Sequence, residues 1–155
     1  MTIDRIDIEE ITDRYAELRD ERADLQSEIE EAEEAVTEAD GIESEEAEVA
    51  EADARRALKA WDDDNGEELK ELGELIEELR GAGGGDHQWE GDWFPSELIA
   101  EDDFEEYAEQ LADDIGAVPA DAGWPNNCID WEKAARELAM DYSLVTFRGT
   151  DYYWR

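Results

Sequence analysis

The chain is poor in the residues that most often carry chemistry or cross-links. Its 155 residues include one cysteine, Cys128, and one histidine, His87. A single cysteine excludes an intramolecular disulfide and a cysteine-based metal site. No run approaches the ~20 apolar residues of a membrane span, and the start MTIDRIDIEE lacks the apolar core of a signal peptide. We therefore expect no membrane partner and a cytoplasmic location, or a place in a particle assembled in the cytoplasm.

Basic residues are also scarce. Thirteen lysines and arginines stand against 49 aspartates and glutamates, which gives a net charge of −36. A protein that binds nucleic-acid phosphates should be basic. We therefore expect no direct nucleic-acid binding. The acidity has two compatible interpretations, adaptation to molar salt, where the Debye length is ~3 Å, and mimicry of a polyanion. Lysine is rarer than arginine. This favours salt adaptation, because mimicry does not require a low lysine content.

Such a charge also raises the question of disorder. Two features oppose it, the periodic spacing of the apolar residues and the crowding of tryptophan, tyrosine and phenylalanine in the second half. We expect folding at high salt and unfolding at low salt, where like charges repel without screening.

The glycine-rich run at 81–85 divides the sequence, because consecutive glycines lose much entropy in a helix. We predict an α+β chain, mostly α, in three parts. Residues 1–80 form an acidic, coiled-coil-like helical hairpin, residues 81–88 a glycine-rich linker, and residues 89–155 a small aromatic-rich α+β domain that ends in a β-hairpin.

The first helix of the hairpin shows apolar residues at alternating spacings of three and four, which is a heptad seam. Its positions are Ile8, Ile11, Tyr15, Leu18, Arg22, Leu25, Ile29, Ala32 and Val36. Asp40-Gly41 signals a helix end, and Ser44 resembles the N-cap of a second helix. That helix runs through Val49, Ala52, Leu58 and Trp61, with a break expected at 62–66 and a restart through Leu69 to Leu79.

The second half mixes helical and strand patterns. Phe104, Tyr107, Ala108, Leu111 and Ile115 form an apolar stripe closed by Gly116, and Asp130 can cap a helix from Trp131. Alternation around Arg148-Gly149 predicts a terminal β-hairpin. Most of the aromatic residues are expected in the core, with the exposed ones as interface anchors.

No residue pattern points to catalysis. His87 lies beside the glycine run and is expected in a solvated loop, and Cys128 has no identifiable base partner. The acidic run 62–68 offers oxygen ligands without the spacing of a calcium loop, so only adventitious cation binding is expected there. We predict no enzyme activity, no cofactor and no metal site.

Two helical motifs and the terminal hairpin together resemble a known family. Phe104, Tyr107, Ala108, Leu111, Ala112, Asp114, Ile115 and Gly116 are similar to a helix "F..YA..LA.D.G". Ile129, Asp130, Trp131, Ala134, Ala135, Arg136, Leu138, Asp141 and Tyr142 are similar to a second helix, and Val145, Phe147, Gly149, Tyr152, Tyr153 and Arg155 to a closing hairpin. In this order they resemble the C-terminal part of ArdA-type antirestriction proteins. Family members are elongated, acidic dimers, carried by viruses and plasmids, that imitate B-form DNA and occupy the DNA groove of type I restriction–modification enzymes. They carry further α/β domains where this chain has its acidic hairpin.

The resemblance implies a DNA-mimicking antirestriction protein that blocks the DNA channel of a restriction–modification or related defence complex. Its partner would be that complex, and it would self-associate as a homodimer or higher oligomer. The residues expected to face the partner are acidic. They are Glu28, Glu31, Glu34, Glu45 and Glu48 of the hairpin, with Asp102, Asp103, Glu105, Glu106, Glu109, Asp113 and Asp114 as a second stripe.

The alternative is a structural or adaptor protein, such as a virion assembly component. In that case the heptad hairpin serves assembly, and the acidity is salt adaptation alone.

Overall fold

The computed structural model describes residues 3–82, 87–118 and 123–155. The fold is mixed α+β and mostly helical, as predicted. Its elements are β1 Arg5–Asp7, α1 Ile8–Glu38, α2 Ile42–Leu79, β2 His87–Trp89, β3 Asp92–Phe94, β4 Glu97–Ala100, α3 Phe104–Asp114, α4 Trp131–Ala139, β5 Ser143–Phe147 and β6 Thr150–Trp154. None of the described helices is both long and apolar enough to cross a membrane.

Two compact units make up the chain. One, here the sheet unit, comprises Met1–Ile11 with Leu75–Arg155, and the other, the hairpin unit, comprises Thr12–Glu74. These boundaries differ from the predicted 1–80, 81–88 and 89–155. The reason is β1, whose three residues pair with β4 and so place the N-terminus in the sheet unit. The predicted linker also ends earlier, since β2 begins at His87, while residues 83–86 lie outside the described part.

In the hairpin unit, α1 and α2 are long helices that contact each other through the predicted seam of α1. Leu18 and Ile29 are buried there, and Tyr15, Arg22 and Leu25 are half-buried. Alternating spacings of three and four keep these side chains on one stripe of the helix. The seam of α1 is therefore confirmed residue by residue.

The seam of α2 differs from its prediction only near the start of the helix. Val49 is 60% exposed and Ala52 is exposed, while the sheltered positions also recur at spacings of three and four. They are Ser44, Ala47, Glu51, Ala54, Leu58, Trp61, Asn65, Glu68 and Leu72. Four of these are polar or charged, which hides part of the stripe from a search for apolar residues. The predicted Leu58, Trp61 and Leu72 lie on the stripe, so only Val49 and Ala52 were misplaced.

The expected helix break at 62–66 is also absent, because α2 is continuous from Ile42 to Leu79. Gly66 lies inside the helix without a positive φ, and a Cβ added there would meet the Asp62 Cβ at an ordinary 3.7 Å. Ser44 is not the N-cap either. The helix begins two residues earlier, directly after Gly41, whose φ of +65° is in the left-handed region that favours glycine.

A four-stranded antiparallel sheet in the order β1-β4-β6-β5 organises the sheet unit. Register is set by pairs such as Ile6 with Leu98, Ile99 with Tyr153, and Val145 with Tyr152. Side chains of neighbouring residues in a strand point to opposite faces. One part of the core is the buried cluster Ile99, Phe104, Ala108 and Ala135, which joins the sheet to α3 and α4.

Both helix-terminus predictions in this unit are confirmed. Asp130 Oδ1 accepts a hydrogen bond from the Lys133 N–H at 3.1 Å, which caps α4. After α3, Gly116 has a φ of +73°, and the Ala117 N–H donates to the Ala112 carbonyl at 2.9 Å. This is the hydrogen-bond pattern of a Schellman motif, which satisfies carbonyls at the helix end.

The terminal β-hairpin is likewise present. Phe147 pairs with Thr150, so Arg148 and Gly149 form a two-residue loop, and their φ values of +51° and +79° fit a type I′ turn. A second, unpredicted hairpin joins β2 to β3 through Glu90 and Gly91, again with positive φ at both residues. Two-residue loops of this kind twist in the same sense as the strands they connect, which fixes both registers.

Candidate protein-interaction surface

The acidic residues of the hairpin unit are concentrated at its closed end. We call residues 23–54 the hairpin tip. They contain no lysine or arginine and fourteen acids, whereas the rest of the unit, residues 12–22 and 55–74, contains eleven acids and seven bases. The fourteen are Asp24, Glu28, Glu30, Glu31, Glu33, Glu34, Glu38, Asp40, Glu43, Glu45, Glu46, Glu48, Glu51 and Asp53. The tip is thus a surface of one charge sign.

The five predicted site residues of the hairpin all lie on this tip, and all are exposed. Glu28, Glu31 and Glu34 belong to α1, and Glu45 and Glu48 to α2. Side chains three positions apart on a helix are neighbours, with Cβ atoms about 5–6 Å apart. Each helix therefore presents a closely spaced row of carboxylates to solvent.

The narrow core of the tip accounts for this exposure. Within residues 23–54, Ile29 is the one fully buried side chain, at 3% exposure. The other sheltered positions are half-buried, and several carry only alanine or serine. Small seam residues leave most of each helix surface in solvent, so thirteen of the fourteen acids are exposed and only Glu51 is half-buried.

Arginines neutralise acids nearer the open end of the hairpin. Arg14 Nε donates to Glu68 Oε1 at 2.8 Å, and Arg22 Nε donates to Asp62 Oδ1 at 2.9 Å. The hydrogen bonds that Arg14 donates to Glu68 and then to Glu17 hold the pKa of Arg14 above its ordinary value. Both ion pairs connect α1 to α2. They fix the pairing of the helices and remove charge from that part of the surface.

Arg55 marks the border of the tip. Its Nε donates to Glu51 Oε1 at 3.0 Å, and its guanidinium also bridges to Glu33 on the other helix. The side-chain hydrogen bond that Arg55 donates to Glu51 raises the pKa of Arg55. Arg56 Nη1 likewise pairs with Asp53 Oδ1 at 2.9 Å. The other eleven acids of the tip form no ion pair with a described residue of the chain.

The second predicted stripe lies on and just before α3. Asp102, Glu105, Glu109, Asp113 and Asp114 are exposed, and Asp103 and Glu106 are half-buried. Glu105, Glu109 and Asp113 follow each other at four-residue spacing, which puts them in a row along the helix. Phe104 and Ala108 of the same helix are buried, so the row lies away from the core cluster.

Asp103 has a structural contact that the sequence did not reveal. Its Oδ2 accepts a hydrogen bond from the Asp4 N–H at 2.8 Å, and the Ala100 N–H donates to the Asp4 carbonyl at 3.0 Å. These contacts hold the residue that precedes β1. No local motif signals a bond between positions 99 residues apart, so only the fold could disclose it.

The aromatic residues divide between core and surface. Phe94, Phe147 and Tyr152 are buried, fewer than the majority expected in the core, while Trp124 is 81% exposed and Trp93 is 48% exposed. The half-buried members are Trp89, Trp131, Tyr153 and Trp154. Other exposed apolar side chains of the sheet unit are Ile115 at 70%, Met140 at 81% and Leu144 at 48%. Single exposed apolar residues are normal, so this set alone defines no patch.

Tyr107 shows how the partly buried tyrosines are used. Its hydroxyl lies 3.1 Å from the Tyr142 hydroxyl, and the Arg5 guanidinium lies 5.3 Å from its ring centroid. Burial, followed by the hydrogen bond with Tyr142, raises the pKa of Tyr107. A neutral phenol in a hydrogen-bonded aromatic cluster packs the sheet against α3 and α4.

The residues considered for chemistry are dispersed. His87 lies in β2, half-buried, with its ring centroid 6.3 Å from that of Phe94, so the expectation of a solvated loop was wrong. Cys128 is exposed, and its thiol donates to Asn127 Oδ1 at 3.5 Å. Across residues 3–82, 87–118 and 123–155, no three His, Cys, Asp or Glu side chains are grouped so that they could hold a metal ion.

No protein-family model, curated protein or solved structure matches the chain. The resemblance to ArdA-type proteins stays a prediction that rests on its motif residues in α3, α4 and the terminal hairpin.

Proposed function

We propose that this chain is a non-enzymatic DNA mimic that blocks the DNA channel of a restriction–modification or related defence complex. The observation that carries the proposal is the hairpin tip, a surface of fourteen acids without a single basic residue. A cationic channel is the complementary partner for such a surface.

The density of charge on the tip is close to that of DNA. Residues 24–38 of α1 occupy roughly 22 Å of helix at ~1.5 Å per residue, and the acids of α2 run back alongside them. Arg55 and Arg56 pair with three of the fourteen acids, and the remaining eleven over that length give about one charge per 2 Å, against about one per 1.7 Å for duplex DNA. A channel built to neutralise phosphates would therefore meet a similar charge per unit length.

The mechanism would be electrostatic steering followed by exclusion. A strongly anionic surface raises the rate of encounter with a cationic cleft, and the carboxylates then take the place of phosphates. The row Glu105, Glu109 and Asp113 on α3 would supply a second anionic contact. No bond is made or broken, so inhibition would be reversible and competitive with DNA.

Salt adaptation and mimicry remain compatible in this account. The scarcity of lysine is explained by life in molar salt, whereas the segregation of basic residues away from the tip is not required by it. Arg14, Arg22 and Arg55 show that the hairpin uses arginine where it needs neutral pairs. Arg55 and Arg56 reach only Glu33, Glu51 and Asp53 at the border of the tip, and the eleven acids without such a partner support a role for the tip in binding.

An antirestriction assay with charge-neutral variants tests the proposal. The test variant replaces Glu28, Glu31, Glu34, Glu45 and Glu48 by glutamine. The matched control neutralises five exposed acids of the same unit outside the tip, at Asp13, Asp20, Asp64, Glu67 and Glu74. Survival of unmodified incoming DNA should fall at least about tenfold with the test variant and change little with the control, since binding to a polyelectrolyte channel scales with the charges engaged. Equal survival with both variants would refute the proposal.

A structural or adaptor role is the second candidate, favoured by exposed apolar residues. Ile42 is 78% exposed and Val49 is 60% exposed at the tip, and Trp124 is 81% exposed in the sheet unit. Such side chains can anchor a protein interface. Stoichiometric presence in purified virus particles would favour this role, and early expression with absence from particles would favour inhibition.

A further inference from the structure

Two exposed apolar side chains lie among the carboxylates of the hairpin tip. Ile42 is 78% exposed and Val49 is 60% exposed. Every other leucine, isoleucine, valine, tyrosine or tryptophan of Thr12–Glu74, a range that the structure describes in full, is buried or half-buried. The pair is therefore the place where the hairpin unit leaves large apolar side chains in solvent.

Both side chains point away from α1. Ile42 lies two residues before the sheltered Ser44, and Val49 lies two residues after the sheltered Ala47. Two residues turn an α-helix by about 200°, so the pair is on the side of α2 opposite its seam. Ile42 and Val49 are seven positions apart, which is just under two turns and about 10 Å along the axis. The two side chains therefore share one stripe that the hairpin itself leaves uncovered.

The residues between the pair complete a docking position for a helix. When one helix packs on another, a side chain of the first enters a hole formed by four residues of the second, at positions i, i+3, i+4 and i+7. On this stripe the four residues are Ile42, Glu45, Glu46 and Val49. Glu45 and Glu46 are exposed and belong to the eleven acids of the tip that form no ion pair with a described residue. The hole is thus apolar at its two ends and anionic at its two sides.

We infer that this face of α2 binds a cationic amphipathic helix of another protein. An apolar side chain of that helix contacts Ile42 and Val49, and lysines or arginines beside it pair with Glu45 and Glu46. Charge selects this occupant. A second copy of the chain carries a net charge of −36 and a nucleic acid carries phosphates, so both are repelled by a tip that has no basic residue.

The apolar pair has no counterpart in the DNA-like role proposed above, in which carboxylates alone take the place of phosphates. In molar salt the Debye length is about 3 Å, so attraction between separated charges is screened, whereas the burial of apolar surface does not depend on charge. Ile42 and Val49 therefore supply a contact that persists at high salt. They also discriminate against cationic partners that lack a matching apolar side chain.

Two synthetic peptides test the chemistry of the occupant. Both are alanine-rich helices of about 21 residues, or roughly six turns, with equal numbers of leucines and lysines. The matched peptide has leucines at a seven-residue spacing with lysines three and four positions from each, and the scrambled peptide distributes its leucines around the helix. Fluorescence anisotropy in molar KCl should show that the wild-type chain binds the matched peptide at least about tenfold more tightly. Equal dissociation constants, or no binding of the matched peptide, would overturn the proposal.

Substitutions on α2 locate the contact. Ile42→Gln combined with Val49→Gln removes the apolar pair, keeps every acid of the tip and introduces good helix formers. The matched control is Ile115→Gln combined with Met140→Gln, which removes side chains of the sheet unit that are 70% and 81% exposed. The tip variant should bind the two peptides equally to within about twofold, and the control should keep the wild-type preference. A preference that the tip variant keeps, or that the control loses, would refute the assignment of this face.

A second copy of the chain is the competing occupant. Sedimentation equilibrium in the same buffer should give one self-association constant for the wild type and for the variant with both Ile42→Gln and Val49→Gln. Weaker self-association of the variant would assign the face to a second copy and would overturn the proposal. The carboxylate variants of the antirestriction assay leave Ile42 and Val49 in place, so the helix site and the DNA-like role can fail separately.

Discussion

The two units carry the same net charge but have different cores. Thr12–Glu74 has 25 acidic and 7 basic residues, and the sheet unit has 24 and 6, so each has a net charge of −18. The sheet unit places its acids around buried residues such as Phe94, Leu98 and Phe104. The hairpin unit places them around a thin seam. The hairpin unit therefore carries the same net charge on a shorter stretch of chain with a thinner core.

This difference matters for function, because the sheet unit would supply stability and the hairpin tip would supply the surface for recognition. The sheet unit can keep its shape by burying aromatic surface, which stabilises by ~25 cal/mol per Å². The hairpin tip buries little and exposes nearly all of its charge. A surface that binds a cationic partner is expected to have this second character, because exposed carboxylates without a cation of their own chain are available to that partner.

The largest expected effect comes from removing salt. Lowering KCl from about 3 M to about 0.1 M lengthens the Debye length from ~2–3 Å to ~10 Å, so carboxylates on the tip repel one another. Amide hydrogen exchange of residues 23–54 should accelerate by at least about 100-fold, while β4 and β6 exchange much more slowly. Uniform acceleration of hydrogen exchange across both units would contradict the lower stability expected for the hairpin tip.

Truncation of a core side chain in the sheet unit should have the next largest effect. Phe94→Ala deletes a side chain with 0% exposure and should lower the free energy of unfolding by about 3–5 kcal/mol. Trp124→Ala is the control, because that side chain is 81% exposed and should cost less than about 0.5 kcal/mol. Thermal unfolding in molar salt, followed by near-ultraviolet circular dichroism, measures both. Similar losses would contradict the assignment of Phe94 to the core.

Two glycines of α2 allow a smaller and more selective test of the hairpin. Gly66→Ala places its new Cβ at 3.7 Å from the Asp62 Cβ, an ordinary contact, and should stabilise the helix by about 1 kcal/mol. Gly73→Ala places its Cβ at 3.2 Å from the Tyr15 ring, so part of that gain is lost. Helical circular dichroism during unfolding in urea at high salt gives both values. An equal gain at the two positions would contradict the close approach of the Tyr15 ring to position 73.

The smallest expected effect is a pH dependence confined to the sheet unit. The pKa of Tyr107 is raised above its ordinary 10.0 by burial. The folded state therefore favours the neutral phenol, and this contribution is full below pH 10 and is lost as pH rises through the folded-state pKa. Tyr107→Phe should start less stable, because the bond to Tyr142 is gone, and should decline less steeply above pH 10. Urea unfolding at several alkaline pH values checks the slope. Parallel slopes for wild type and variant would contradict a raised pKa.

The sequence predicted those elements whose signals are local. The seam of α1, the cap at Asp130, the Schellman glycine at 116 and the terminal turn each depend on residues within a few positions of one another. β1 and β4 were missed because a strand of three or four residues carries too little alternation, and its pairing is decided by distant residues. β2 and β3 were missed for the same reason, and their turn, Glu90-Gly91, lacks the asparagine or aspartate that usually marks one.

The acidic stripes were easier to find than to interpret. Exposure of Glu28, Glu31, Glu34, Glu45 and Glu48 follows from the heptad pattern of α1 and the polarity of α2. The uneven placement of arginine is also in the sequence, but its meaning required Arg14, Arg22 and Arg55 to be seen bridging the helices. The bond between Asp103 and the N-terminal segment could not be anticipated, since it joins residues far apart in the chain.

The central claim is that the hairpin tip occupies a DNA-binding channel. The most direct measurement is a pull-down in molar salt from a restriction-proficient cell extract, with mass spectrometry of the bound proteins and elution by duplex DNA. The account predicts capture of a DNA-binding defence subunit, its release by duplex DNA, and its loss with the five-glutamine tip variant but not with the matched control. Capture that duplex DNA does not displace, or that the tip variant retains in full, would contradict it.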